Sequence, residues 1–179
     1  MTSSKTSRRS KLAGLFIMIF LFSGMFLGIY GFDKIENYYF PYIYSFIWIF
    51  LGLVSGYLLS KSIQPYLHFN KKQLKNYWFV AMCLMFGMCG LLLTVGSLIN
   101  WTASKKEICD GFLVIDKQKI EYRYRSQPGA NLLFVNMHGV TERLRCKNSF
   151  WSSTSVGDKI SLCVYDSPLG FDFIEISEE

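Results

Sequence analysis

Three long stretches without Asp, Glu, Lys, Arg or His constrain this chain more than any other feature. They run from Leu12 to Phe32, from Asn37 to Ser60 and from Asn76 to Ser104. A hydrocarbon core is crossed by roughly 20 helical residues, so each stretch is long enough to span one. Lipid offers no partners to a polar backbone, which leaves the helix as the form each stretch can take. Twelve of the 21 residues in the first stretch are Leu, Ile or Phe. On an insertion scale such a count is favourable by roughly 4–7 kcal/mol.

The flanking charges set a direction. Lys5, Arg8, Arg9 and Lys11 precede the first stretch. Lys61, Lys71, Lys72 and Lys75, with His68, separate the second from the third. The first loop holds only Lys34, against Asp33 and Glu36. Basic loops stay in the cytoplasm, so the expected orientation has a cytoplasmic N-terminus and an extracytoplasmic C-terminal part. Lys105 and Lys106 oppose this weakly. The first apolar run is too long for a cleaved signal peptide, and Ile29-Tyr30-Gly31 is a poor cleavage site, so the segment reads as a retained anchor. The expected location is the inner cell membrane, with several passes. The net charge of +6 flanks apolar segments, so membrane orientation accounts for it and nucleic acid is not an expected partner. Only 18% of residues are charged, below the usual quarter of a soluble domain.

Small residues four apart mark the first two helices: Gly24 and Gly28, then Gly52 and Gly56, with Ser60 extending the row. Such rows let helix backbones approach closely. Two helices of one chain carry the pattern, which favours packing among the three helices over dimerisation. Tyr38, Tyr39, Tyr42, Trp78 and Trp101 stand near helix ends, where aromatic rings prefer the headgroup layer. No ionisable group of the kind that proton relays and ion-coupled transporters use lies at depth, which argues against transport.

After about Glu107 the apolar period changes from helical to two. Ile120, Tyr122 and Tyr124 alternate with Glu121, Arg123 and Arg125, and Ile160, Leu162 and Val164 with Ser161, Cys163 and Tyr165. Val140, Leu144 and Cys146 share a face with Glu142, opposite Thr141, Arg143 and Arg145. Phe112 to Ile115, Leu132 to Met137 and Phe171 to Ile176 also read as strands. Turns are expected at Asp116-Lys117-Gln118, Pro128-Gly129, His138-Gly139, Val156-Gly157-Asp158 and Ser167 to Gly170. The expected fold is three transmembrane helices followed by a small antiparallel β-barrel or sandwich of about six strands. The membrane domain covers 1–104, with helices at about 12–32, 38–60 and 77–100. The β-domain covers 105–179, and residues 107–179, with their own apolar strands, are expected to fold without the helices.

The run from Val156 to Pro168, with Gly157-Asp158 opening it and Tyr165-Asp166-Ser167-Pro168 closing it, resembles the closing strand of small β-domains in uncharacterised bacterial membrane proteins. Those proteins join a few membrane helices to one extracytoplasmic β-domain. Ser167 interrupts the Tyr-Asp-Pro end of that pattern. The resemblance implies an architecture and no activity.

Motifs for chemistry are sparse. His68 and His138 have no second ligand at metal spacing, so no metal or other cofactor is expected. There is no C-x-x-C, no nucleophile elbow and no phosphate loop, and the chain is not expected to be an enzyme. Among Cys109, Cys146 and Cys163 at most one bridge forms, and the pattern does not choose the pair. Arg123, Arg125, Arg143 and Arg145 would form an outward cationic face on adjacent strands, suited to an acidic protein or anionic headgroups. Phe150 and Trp151, in the loop that follows, would anchor the domain to a partner or the bilayer, or cap the barrel end. The expected function is non-enzymatic binding or scaffolding in the cell envelope through the β-domain. The alternatives are an immunity protein neutralising a toxin and an accessory subunit of a membrane transport or secretion complex.

Overall fold

The computed structural model describes residues 3–64, 74–120, 130–137 and 139–176, with side chains from 14 onward and, in the third helix, from 77. Three long apolar helices come first: α1 (Ser3–Lys34), α2 (Pro41–Ile63) and α3 (Leu74–Ala103). The segments long and apolar enough to cross a membrane are Gly14–Lys34, Pro41–Ile63 and Tyr77–Ala103. Then come β1 (Lys105–Ile120), β2 (Ala130–Met137), β3 (Val140–Cys146), the short α4 (Asn148–Ser153), β4 (Lys159–Asp166) and β5 (Phe173–Ile176). The chain forms two compact units. One holds residues up to Lys34 and Tyr42–Ile99; the other holds Ile35–Pro41 and Asn100–Glu179.

In the first unit α3 packs against both other helices. A methyl group on Gly24 would stand 2.4 Å from the Gly87 carbonyl oxygen, and one on Gly56 would stand 2.5 Å from the Met85 Cα. Gly28 meets Gly90, and Gly52 meets Cys89 in the same way. Contacts on α1 climb with those on α3, from Gly24–Gly87 to Gly31–Thr94, so the two run parallel. On α2 they descend, from Trp48–Gly96 to Gly56–Met85, so α2 runs antiparallel. Small residues bring the backbones close enough for side chains to bond across. Thr94 Oγ1 donates to the Leu27 and Gly90 carbonyls at 2.5 and 3.0 Å, and Cys89 Sγ donates to the Ile49 carbonyl at 3.3 Å. Large apolar side chains remain on the outside, among them Phe16, Phe26 and Phe46, each at least 70% exposed. Such a continuous apolar exterior suits lipid better than water.

In the second unit the strands form one curled antiparallel sheet, half of a barrel, in the order β3-β2-β1-β4-β5. Of the expected barrel or sandwich, the sheet takes the barrel form in part, with five strands among the described residues against about six expected. Asp116-Lys117-Gln118 makes no turn. It runs inside β1, a single strand of 16 residues, where Asp116, Lys117 and Gln118 pair with Phe134, Leu133 and Leu132. Nothing in that triplet requires positive φ, so the backbone stays extended. The bend goes instead into a bulge at Ile115, between the paired residues Val114 and Asp116. The alternation expected over Tyr122 to Arg125, and the Pro128-Gly129 turn, fall outside the described residues.

Register follows the apolar pattern elsewhere. Phe112, Val114, Leu133, Val135, Met137, Leu144, Ile160, Leu162 and Ile174 form the core. The β2–β3 hairpin joins Met137 to Val140, with Gly139 at φ +89°. The segment resembling a closing strand becomes β4, which lies between β1 and β5 rather than at an edge.

Candidate functional site

The two outer strands of the half-barrel, β3 and β5, each have one edge without a strand partner in the sheet. Unpaired edges are costly when covered and hazardous when bare. The loop between α1 and α2 answers both. On one side the Tyr39 N–H donates to the Asp172 carbonyl and the Ile174 N–H donates to the Asn37 carbonyl, both at 3.1 Å. Tyr38 and Phe173 form an antiparallel bridge. On the other side the Asn37 amide copies a peptide group. Its Nδ2 donates to the Arg145 carbonyl at 3.1 Å, and its Oδ1 accepts from the Arg145 N–H at 2.9 Å. The same three-residue stretch thus spans from β5 to β3, as a further stave in the open side of the barrel.

Side chains reinforce the backbone. Ile35 and Tyr38 are buried, and Tyr39 packs against the sheet core. Tyr38, Phe173 and Tyr165 stack in a row, with ring centres 5.4 and 5.0 Å apart. Glu36 Oε1 pairs with Arg145 Nη1. Both side chains of that pair are about one-third exposed, so it contributes about 0–1 kcal/mol.

The end of α3 is tied in by a buried amide. Asn100 is fully buried. Its Nδ2 donates to the Phe171 carbonyl at 2.9 Å, its Oδ1 accepts from the Ser167 hydroxyl, and its carbonyl accepts from Ser104. Burial pushes the Tyr38 hydroxyl pKa up, and a hydrogen bond with Asn100 pulls it partly back. Tyr39 is raised by burial and then by Glu142, Asp172 and Glu107. Both hydroxyls therefore stay protonated through the neutral range.

A disulfide joins Cys109 and Cys163, directly opposite each other on β1 and β4 with Cα atoms 4.1 Å apart. Cys146 is outside that disulfide, half-buried on β3, with its Sγ donating to the Asn131 carbonyl at 3.6 Å. The pairing joins residues 54 apart in sequence, which alternation alone did not select.

Of the four arginines expected to form one cationic face, Arg143 and Arg145, two apart on β3, are among the described residues. Arg123 and Arg125 lie outside them. Arg143 is exposed on β3, whereas Arg145 is half-buried and engaged with Glu36 and Asn37. Phe150 and Trp151 belong to α4, not to an open loop, and both pack against the sheet core. Trp151 Nε1 donates to the Leu132 carbonyl at 3.2 Å. Lys117 Nζ sits 4.1 Å from the centre of the Trp151 indole and donates to the Trp151 and Thr154 carbonyls. The indole is thus half of a lid over the core. Gly24, Gly28, Gly52 and Gly56 lie in the helix contacts described above. No group of three or more His, Cys, Asp or Glu is placed to hold a metal among the described residues.

Sequence reasoning passed over Glu36, Asn37, Asn100 and Ser167. The available signal was composition. Ile35 to Phe40 holds one Ile and three aromatics in six residues, too apolar for a loop that only reverses the chain in water. Comparison with protein-family models, with curated proteins and with solved structures finds no match.

Proposed function

We propose that this chain is an integral membrane protein of the cell envelope that works by binding or scaffolding, without catalysis, through its β-domain on the extracytoplasmic side. One observation carries the reading. The loop between the first two apolar helices is part of the same folded unit as the chain after the third. Three crossings put those two segments on one side of a membrane, so the tertiary structure and a three-pass topology agree. The side follows from eight basic residues around the N-terminus and second loop, against Lys34 in the first loop. A disulfide in the β-domain supports the same side, because such bonds persist in oxidising compartments.

The surface left for a partner is the outer face of β3. Arg143 is exposed there beside Thr141, and its guanidinium suits a carboxylate or phosphate. The expected occupant is an acidic protein surface at or beyond the membrane.

Topology and partner are tested together. A cysteine at Val140, which is 59% exposed, should react with a membrane-impermeant maleimide in spheroplasts, and one at Ser7 only after lysis. The reverse pattern would overturn the orientation. Photocrosslinking from a probe at Thr141 should capture a protein whose yield falls on Arg143→Gln or in added salt. Equal capture by parent and variant at low salt would remove Arg143 from the interface.

A further inference from the structure

Leu169 sits at the tip of a turn that is held rigidly yet ends in an apolar pair. Ser167 N–H donates to Asp172 Oδ1 at 2.9 Å, Gly170 N–H to the Ser167 carbonyl at 2.8 Å, and Leu169 N–H to Ser167 Oγ at 3.1 Å. Gly170 takes φ +73°, a conformation that closes the turn at no steric cost. Pro168 and Leu169 are left exposed at its tip. Turn tips in water normally carry Gly, Pro, Asn, Asp or Ser, so Leu169 is the residue out of place.

The fold sets the level of this turn. Ser167 donates to Asn100 and Asn100 donates to the Phe171 carbonyl, so both ends of the turn are fastened to the last turn of α3. The apolar segment Tyr77–Ala103 has 27 residues, which is about 40 Å of helix. A hydrocarbon core is about 30 Å thick, so a centred segment leaves its last turn within the headgroup layer. Two more exposed rings stand in the same unit next to residues that tie the turn or its flank. Trp101, 57% exposed, follows Asn100, and Phe40, 59% exposed, immediately precedes α2. Lys105 and Lys106 are exposed just beyond, where ammonium groups meet lipid phosphates. Tyr38 and Tyr39, which the sequence suggests as headgroup anchors, are used up inside the β-domain.

We infer that the Pro168–Leu169 turn is a membrane-surface anchor: with Phe40 and Trp101 it inserts Leu169 into the headgroup–acyl boundary and fixes the β-domain to the bilayer. This rests on the membrane reading above. A rigid apolar tip inserts without an ordering cost, and it is distant in sequence from every membrane span. Lipid contact at Leu169 would hold the sheet at one height above the bilayer and leave the β3 face free for a protein.

The test uses the full chain in palmitoyl-oleoyl phosphatidylcholine vesicles with the disulfide intact. Cys146→Ser gives the background, since Cys83 and Cys89 are buried. An environment-sensitive fluorophore is attached at Leu169→Cys, at Pro168→Cys, at Phe50→Cys in the middle of α2, and at Val156→Cys. Val156 lies next to Gly157, which bonds to Val114 nine residues along β1 from Lys105, about 30 Å of strand. The Leu169 and Pro168 probes should be blue-shifted and quenched more by a nitroxide near the headgroup than by one at the acyl terminus. Phe50 should show the opposite depth preference, and Val156 no quenching. If Leu169 and Pro168 behave like Val156 while Phe50 is quenched, the anchor is wrong and the membrane reading stands. If Phe50 is not quenched either, the membrane reading itself fails and takes the anchor with it.

Discussion

At the scale of single residues, short polar side chains hold the β-domain to the chain segments that lead into it. Asn37 makes two hydrogen bonds to the backbone of one residue of β3. Glu36 makes a longer-reaching, more exposed ion pair to the same residue. The two should differ in value. A net hydrogen bond contributes about 0.5–1.5 kcal/mol, and a stranded buried partner costs about 1–3 kcal/mol. Asn37→Ala should therefore lower β-domain stability by about 1–3 kcal/mol, whereas Glu36→Gln should cost under about 1 kcal/mol. Urea titration in detergent, followed by Trp151 fluorescence, reads both because the indole covers the same core. Equal losses would mean that the ion pair holds the edge as firmly as the amide does.

At the scale of elements, helix packing depends on glycine at points of backbone contact. Gly24 has no room for a methyl group against Gly87, and Gly14 has nothing within 4 Å. Gly24→Ala should force α1 away from α3, with an overpacking cost of about 1–3 kcal/mol. Gly14→Ala should be neutral or slightly stabilising, since alanine gains up to about 1 kcal/mol over glycine in a helix. Thermal aggregation in detergent compares the two variants in one assay. The apolar rows were legible in the sequence because four-residue spacing marks one helix face. Their partners were not, since Gly87 and Gly90 are spaced by three and Met85 and Cys89 are not small.

The whole molecule interleaves its two units. The chain enters the β-domain at Ile35, leaves it after Pro41 and returns at Asn100. A fragment of residues 107–179 carries the core strands but lacks the stave that spans β3 and β5 and the amide that ties the 167–171 turn. Such a fragment should be loosely folded or should self-associate through its bare edges. A fusion that supplies residues 35–41 should restore a cooperative melt. Amide exchange is the sharper readout: Arg145 and Ile174 should exchange fast in the fragment and slowly in the full chain. Slow exchange in both would mean that the sheet closes without the loop, as its alternating strands alone suggest.

The sequence by itself determined three apolar helices, their approximate limits and a C-terminal sheet. These properties are written in local period and local charge, and each residue's neighbours in the chain suffice to read them. The hairpin at Gly139 and the turns at Gly157 and Gly170 were legible for the same reason, because positive φ favours glycine. Only the tertiary structure decided that Asp116 to Gln118 stay extended, that Cys109 meets Cys163, and that Asn37 lies against Arg145, 108 residues away. Each of those outcomes depends on which backbone comes alongside. An Asn before an apolar helix reads as a loop residue until the outer N–H and carbonyl of a strand edge stand opposite it.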